Sequence, residues 1–452
     1  MEGLPMTPLE PWIVEKINST EEKEKFAKEE IADYQLKRLN ETVNRVRQCS
    51  PFYRRHLAPC GDKPLTCLAD IAKYPLTSAA DIRQYAARFV CVSQSHINRV
   101  VTLKTSGTTG NPKRLFFTRS DQELTIDFFR CGMSTFTATN DTVMILLPGE
   151  RPDSIGDLLR KAVQRIGALP IPYGFVADVP EAVSMMCQER ATCLVGAPVQ
   201  ILAMARWWEQ WGQGRWQPQN VLLSTDYVPV VITRELQRIW NCEVYSHYGM
   251  TEMGLGGGIE CRAHNGYHLR EADLYFEIID PVLLHPVPDG QYGEVVFTTL
   301  TRQGMPLIRY RTGDISRFIP GPCPCGSRLR RLEQIRTRKD GMICLGTSQK
   351  ITMADIDEVV FALPEVIDFT AKVFYEARVV LKVDVMIMPN IFWFDEYTVL
   401  QVLRKLPAIH RAEEKGELSL NVTIHKHGVL ISGKRTIGIV HAEKESRSHE
   451  LE

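Results

Sequence analysis

Residues 104–114 read Lys-Thr-Ser-Gly-Thr-Thr-Gly-Asn-Pro-Lys-Arg, a run dense in small side chains and hydroxyls. Gly107 and Gly110 permit backbone angles that side chains forbid, so the hydroxyls and N–H groups of Thr105, Ser106, Thr108 and Thr109 can converge on one anion. Lys113 and Arg114 add positive charge beside them. Holding an anion such as a phosphate is the chemistry this loop suits. It is not the Walker arrangement, which needs four residues between its glycines and then Gly-Lys-Ser/Thr. A second constellation is built on soft ligands. Cys323-Pro-Cys325-Gly is a two-thiol knuckle, and Cys261 and His268 precede it, giving three sulfurs and one imidazole, with His264 as the alternative nitrogen. Gathered by the fold, they would form a closed tetrahedral set suited to structural zinc, with no position open for catalysis.

The elements that must position these groups can be read from periodicity. Val100–Leu103 and Leu115–Phe117 read as strands flanking the anion loop. Residues 21–48 carry Ile31, Tyr34, Leu39, Val43 and Val46 mostly on one helical face, and Ser50-Pro51 ends that helix. Thr77-Ser78 caps a further helical piece before Asp81. Then strand-like runs alternate with helix-like ones: Val143–Leu147, 155–166, Ala168–Ile171, 179–188, Cys193–Val195, 198–211, Asn220–Asp226, 233–240 and Glu243–Ser246. Alternation at this spacing predicts parallel sheets covered by helices, with ligands beyond the strands' carboxyl ends. From 267 to 319 the pattern changes to an antiparallel β region, with strands over Leu274–Ile279, Gly293–Thr298 and Leu307–Tyr310. Arg336 to Asp340 reads as a linker. Beyond it, Ile356, Val359, Val360 and Leu363 share a helical face, and Val379–Met386 and Leu418–Ile424 read as strands of a small α/β unit. The expected fold is α/β: a large N-terminal domain over 1–339, with helix-covered sheets plus an antiparallel β region, and a small mobile α/β C-terminal domain over 340–452.

Ser-Gly-Thr-Thr-Gly-x-Pro-Lys resembles the phosphate loop of the adenylate-forming superfamily of acyl-CoA synthetases, non-ribosomal peptide adenylation domains and luciferases. Tyr248-Gly-Met-Thr-Glu252, Tyr310-Arg-Thr-Gly-Asp314 and Gly433-Lys434 follow in the family's order. With Pro51-Phe-Tyr53 and the Cys-Pro-Cys knuckle, they make the chain similar to the phenylacetate-CoA ligase branch. The resemblance implies that Thr105, Ser106, Gly107, Thr108, Thr109, Gly110 and Lys113 hold the β- and γ-phosphates of ATP. Glu252 would be the magnesium ligand, with Thr251 beside it, since a hard cation that keeps several waters needs only one or two protein carboxylates. Tyr248, with Gly249, would stack on adenine, Asp314 would accept from both ribose hydroxyls, and Arg338 and Asp340 match the family's arginine and hinge acid. Lys434 would bridge the acid and the α-phosphate. The knuckle's spacing looks like that of zinc-bearing members of the branch, with Cys261, His268, Cys323 and Cys325 as ligands.

Departures from the family pattern are informative. Residues 224–228 read Ser-Thr-Asp-Tyr-Val where relatives often carry a Gly/Ala-Glu-Pro turn against the adenine, which places Asp226 at the nucleotide. Residues 148–156 read Pro-Gly-Glu-Arg-Pro-Asp-Ser-Ile-Gly in a segment expected to line the acid pocket, where the phenylacetate enzymes tend to be Gly-rich and aromatic. Polar residues there put phenylacetate itself in doubt.

Composition narrows the function class. The 54 Lys plus Arg balance the 54 Asp plus Glu, so no overall field draws the chain onto nucleic acid or an anionic membrane. No apolar run approaches the roughly 20 residues that cross a bilayer, and Met1-Glu-Gly-Leu-Pro lacks a signal peptide's basic and apolar regions. The 12 cysteines, diluted over 452 residues, are expected reduced in the cytoplasm. The expectation is an ATP-dependent ligase that adenylates a small aryl or apolar acid and transfers it to coenzyme A, with magnesium and structural zinc; a homodimer remains open. The alternatives are an adenylating enzyme with another acceptor, like the deazaflavin-nucleotidylating synthetases, and a nucleotide-binding relative without activity.

Overall fold

The computed structural model describes residues 4–17, 28–103, 112–212, 215–376, 378–426, 430 and 434–441. An eight-stranded sheet forms the centre. Five of its strands are parallel, in the spatial order Leu169–Pro172, Thr142–Leu146, Cys193–Gly196, Asn220–Leu223, Glu243–Tyr248. These strands are almost continuously apolar because helices cover both faces; Met144, Ile145, Leu194, Val221 and Leu223 are fully buried. The covering helices include Arg119–Met133, Ile155–Ile166, Val179–Gln188, Pro198–Trp211 and Val230–Trp240. Register aligns Leu146, Gly196, Leu223 and Ser246, so the chain leaves all four strands at one edge of the sheet. Beyond Tyr248 the sheet continues antiparallel through Gly258–Glu260, Tyr267–Leu269 and Arg331–Leu332.

The β region beside it is a four-stranded antiparallel sheet of Leu274–Ile279, Gly293–Thr299, Tyr310–Ser316 and Thr337–Arg338. Its third strand starts where the sequence pattern placed that strand's end, and it contains Asp314 instead of preceding it. The difference is a bulge. Register shifts opposite Glu294 and Val296, and Gly313 adopts φ +78°, a left-handed angle that suits glycine and re-aims the next side chain. The strands Arg99–Leu103 and Lys113–Phe117 on either side of the anion loop pair antiparallel, with Leu103 opposite Lys113. The loop's residues Thr105, Ser106, Gly107, Thr108, Thr109 and Gly110 lie outside the described residues.

Helix Lys28–Cys49 buries Ile31, Leu39, Val43 and Val46, as its spacing predicts; residues 21–27 lie outside the described residues. A helix over Leu9–Ile17 was not expected. It buries Leu9, Trp12 and Ile13, and Glu10 accepts from Ser327 Oγ at 2.6 Å and from the Arg328 N–H at 2.7 Å, next to the cysteine knuckle.

After the turn Lys339–Gly341 the chain forms a four-stranded sheet in the order Leu418–His425, Val379–Ile387, Val366–Tyr375, Gly438–His441, with helices Met353–Val360, Glu396–Leu403 and Pro407–Glu414. One apolar cluster runs from Ile201, Leu202, Leu236 and Trp240 of the large unit into Phe361, Val366 and Phe369 of this one. The C-terminal unit thus packs on helices Pro198–Trp211 and Val230–Trp240. No helix among the described residues is long and apolar enough to cross a membrane.

Candidate active site

The aligned strand ends bring the dispersed motifs together. Tyr248 ends the strand Glu243–Tyr248, and its hydroxyl donates to Asp314 Oδ2 at 2.9 Å. One face of its ring lies on Tyr267, with centroids 5.9 Å apart. The other Asp314 oxygen is 3.4 Å from Arg338 Nε, and Arg338 also donates to the Thr312 carbonyl. Burial and the Asp314 charge push the Tyr248 phenol far above its ordinary pKa, so it stays a donor. Gly249 follows because nothing larger fits: an added Cβ would fall 2.2 Å from the Leu255 carbonyl oxygen.

Thr251 opens the short turn Thr251–Met253, which buries Glu252. Its carboxylate forms an ion pair with Lys113 and accepts from Tyr310 Oη at 2.9 Å, while Arg302 donates to its backbone carbonyl at 2.6 Å. A carboxylate that is only 1 % exposed and already matched to a cation suits a site that must exchange one positive partner for another. Lys434 sits at the mouth of this cleft, open to solvent at its edge. Crowding by protein and the nearby Arg338 pull its pKa below that of an ordinary lysine, and Asp314, Asp226 and Glu252 oppose the shift. The carboxylate of Asp226, expected at the nucleotide, is engaged elsewhere: Oδ1 accepts from the Tyr227 N–H at 2.9 Å and Oδ2 from the Arg435 N–H at 2.7 Å. Arg338 lies in the cleft as expected, whereas the side chain of Asp340 and residues Ser432-Gly433 are not described.

Successive residues of a strand face opposite ways. Tyr248 faces Asp314, so His247 faces the other side, into a small cavity of about 30 Å³ between the sheet and helices Arg119–Met133 and Ile155–Ile166. Phe128, Phe129, Met133, Leu147 and Ile155 make much of its wall. Its chief polar groups, Ser224 and His247, bond to each other through Oγ and Nδ1 at 3.1 Å, His247 Nε2 is buried without a partner, and burial lowers the His247 pKa to about 4, leaving the ring neutral. The 148–156 segment contributes only Ile155. Asp153 pairs outside with Lys161 and Asn98, so the polarity read in this segment belongs to the surface. The aromatic wall comes instead from Phe128-Phe129. A pair of phenylalanines on an amphipathic helix reads as core until the sheet edge beneath it is known.

The second constellation also assembles. The ligand atoms of Cys261, His268, Cys323 and Cys325 all lie within 4.8 Å of one another, and all four residues are buried. Cys261 and Cys323 sulfurs are 3.7 Å apart, and Cys325 Sγ is 3.5 Å from His268 Nε2. Tetrahedral ligands about 2.0–2.3 Å from one ion stand about 3.5–3.8 Å apart, so the donor set fits zinc. His264 is not part of it: its nitrogens pair with Glu243 at 3.1 Å and Glu260 at 3.7 Å.

No family model matches the chain. It is 28% identical to the phenylacetate-coenzyme A ligase of Pseudomonas putida over 70% of this chain and 72% of that one. It is 26% identical to the Thermus thermophilus enzyme of the same name over 76% and 78%. Over most of its length, then, the chain is similar to phenylacetate-coenzyme A ligases, at 25–28% identity. Solved structures agree on the fold. A 2-hydroxyisobutyryl-CoA ligase in the postadenylation state superposes with TM-score 0.75 at 21% identity, covering 90% of this chain and 89% of that one. The same ligase in its thioesterification state gives 0.66 at 21% identity, with 92% and 91% covered. The polar and apolar groups of the cleft thus flank a single strand end.

Proposed function

We propose that the protein is an ATP-dependent, AMP-forming acid–CoA ligase acting on a small carboxylic acid with an aryl or otherwise apolar body. The observation that carries this is the junction at Glu243–Tyr248: Tyr248 turns toward the polar group of Asp314, Glu252 and Lys113, and His247 toward a small, partly open apolar cavity walled by Phe128, Phe129 and Met133. An acid whose apolar body enters beside Phe128 and Phe129, widening that cavity, would direct its carboxylate at the polar half. Attack on the α-phosphate brings two anions together, so fixed positive charge is the main need. Lys434 is placed to meet charge as it builds between them, and Lys113 stands at the hairpin tip where the leaving phosphates are expected. Glu252 is the residue that would hold magnesium, which supplies further neutralisation of the phosphates. The likeness of the whole chain to a ligase in its postadenylation state supports assigning this arrangement of the units to the first half-reaction. Asp340 is the boundary and pivot we assign between the units 1–339 and 340–452.

The relatives' name makes phenylacetate the first acid to test. A pyrophosphate-exchange assay with aryl, aliphatic and hydroxylated acids should show exchange with at least one aryl or apolar acid. AMP release should then depend on coenzyme A. No exchange with any acid would overturn the enzyme reading, and AMP release indifferent to coenzyme A would move the proposal to another acceptor.

The cysteine knuckle is proposed as structural zinc. Protein purified without added metal should carry about one equivalent. Cys323→Ser should lower the melting temperature while leaving nucleotide binding intact. Metal-free protein with an unchanged melting curve in that variant would sink the assignment.

A further inference from the structure

Helix Val230–Trp240 begins without a cap of its own. Pro229 occupies the cap position, has no side-chain acceptor, and no acidic residue lies in the first turn. The orphan N–H groups of such a helix end need an acceptor. Glu358, on helix Met353–Val360 of the C-terminal unit, supplies it from 127 to 128 residues away: Oε1 accepts from the Val230 N–H at 2.8 Å and Oε2 from the Val231 N–H at 3.2 Å. The Tyr227 hydroxyl donates to the same Oε1 at 2.6 Å. One carboxylate thus takes three donors across the seam, with the positive end of a helix dipole behind two of them.

The preceding residue of the same helix, Asp357, connects this grip to the catalytic lysine. Asp357 and Asp368 hold the buried Arg435 guanidinium at 3.0 and 2.6 Å, and Arg435 also reaches the Phe369 carbonyl. Asp226 of the large unit then takes the Arg435 backbone N–H at 2.7 Å. Lys434 immediately precedes Arg435 in the chain. Its place is set by a side chain locked inside the small unit and by contacts that cross between the units. Segment 226–231 makes most of them, and this is where the sequence departs from the family's adenine turn.

We propose that Glu358 is a positioning residue: by capping helix Val230–Trp240 and binding Tyr227, it selects the orientation of the C-terminal unit that presents Lys434 for adenylation. The proposal rests on the ligase reading for its activity assays but not for its geometry. A charged acceptor with three donors is worth roughly a ten- to hundredfold bias between docked and undocked states. Glu358→Ala should lower acid-dependent pyrophosphate exchange by about that factor, with thiolation of a supplied acyl-adenylate within about twofold of the parent. Glu358→Gln, which keeps one acceptor oxygen, should recover part of the loss. Tyr227→Phe, which removes only a hydroxyl and cannot disturb the helix end, should cost a smaller share of the first half-reaction.

Spin labels on the two units, measured in full-length protein without substrates, give a readout independent of turnover. The inter-unit distance distribution should broaden in Glu358→Ala and narrow again in Glu358→Gln. Unchanged distances in Glu358→Ala would overturn the proposal, as would equal losses in both half-reactions accompanied by a lower melting temperature. If the parent protein exchanges pyrophosphate with no acid, the ligase reading fails while the distance measurement still decides the role of Glu358.

Discussion

At the strand ends, Tyr248 is bonded to Asp314, and Glu252 to Tyr310 and Lys113, and all five lie before the turn at residue 339. At the mouth of the same cleft, Lys434 depends on bonds that cross between units: Glu358 to 227–231, Asp226 to Arg435, and Arg206 to the carbonyls of Phe361 and Val366. The first set contains no residue of the C-terminal unit. The second exists only in one arrangement. On the ligase proposal, a site divided in this way would keep its first set organised if the C-terminal unit moved, so substitutions in the two regions should separate the two half-reactions.

The largest effect should come from the fixed end. Glu252→Gln keeps the shape but removes the charge that matches Lys113, and adenylation should fall by roughly a thousandfold. Excess acid should not restore it; rescue by acid would place Glu252 in the acid pocket. Next comes Lys434→Ala, which should lower adenylation roughly a hundredfold and leave thiolation of a supplied acyl-adenylate nearly normal. Equal losses in both steps would make Lys434 a docking residue and erase the contrast between the regions.

A smaller effect is expected at Arg206. Its guanidinium is buried, with Phe361 O at 2.6 Å and Val366 O as acceptors, and burial lowers its pKa to about 10. Arg206→Met leaves both carbonyls without their donor, at about 1–3 kcal/mol each. Pyrophosphate exchange should drop about tenfold with the KM for the acid unchanged, whereas a raised KM would tie Arg206 to the pocket. The smallest effect is one of pH. Because the pKa of Lys434 is lowered from 10.5, its ammonium is lost at a lower pH than an ordinary lysine's. The alkaline limb of adenylation should therefore fall below that value, and it should move upward in Lys434→Arg, whose guanidinium stays charged.

The two regions also differ in how far the sequence reveals them. The fixed end is built from short strings whose order is legible: Tyr248 and Asp314 are 66 residues apart in the chain and meet through one hydrogen bond. The parallel strands and their helices follow apolar periodicity, which is a local property. The docked end leaves no local trace. Arg206 stands in Ala-Met-Ala-Arg-Trp-Trp and reads as the polar face of a helix, since its acceptors lie 155 and 160 residues away. Glu358 reads as a solvated acid for the same reason. Asp226 was placed at the nucleotide by its position in the family pattern, and only the fold shows that Arg435 reaches it first. Helix Leu9–Ile17 is a nearer miss: Thr7-Pro8 ahead of it is a helix-start signal in a stretch too short for periodicity to register.

The cysteine knuckle has a further consequence. Sulfurs 3.7 Å apart at Cys261 and Cys323 suit an ion between them, and with the ion removed they are one short movement from a disulfide. Chelation and oxidant should therefore act together: either alone is reversible by returning metal or by the ion's own shielding of the thiolates, but in combination they convert two ligands into a cross-link that no longer accepts zinc. Helix Leu9–Ile17, anchored beside the knuckle through Glu10, Ser327 and Arg328, would lose its footing with it. If the knuckle holds zinc, losses in storage should follow redox history as well as temperature.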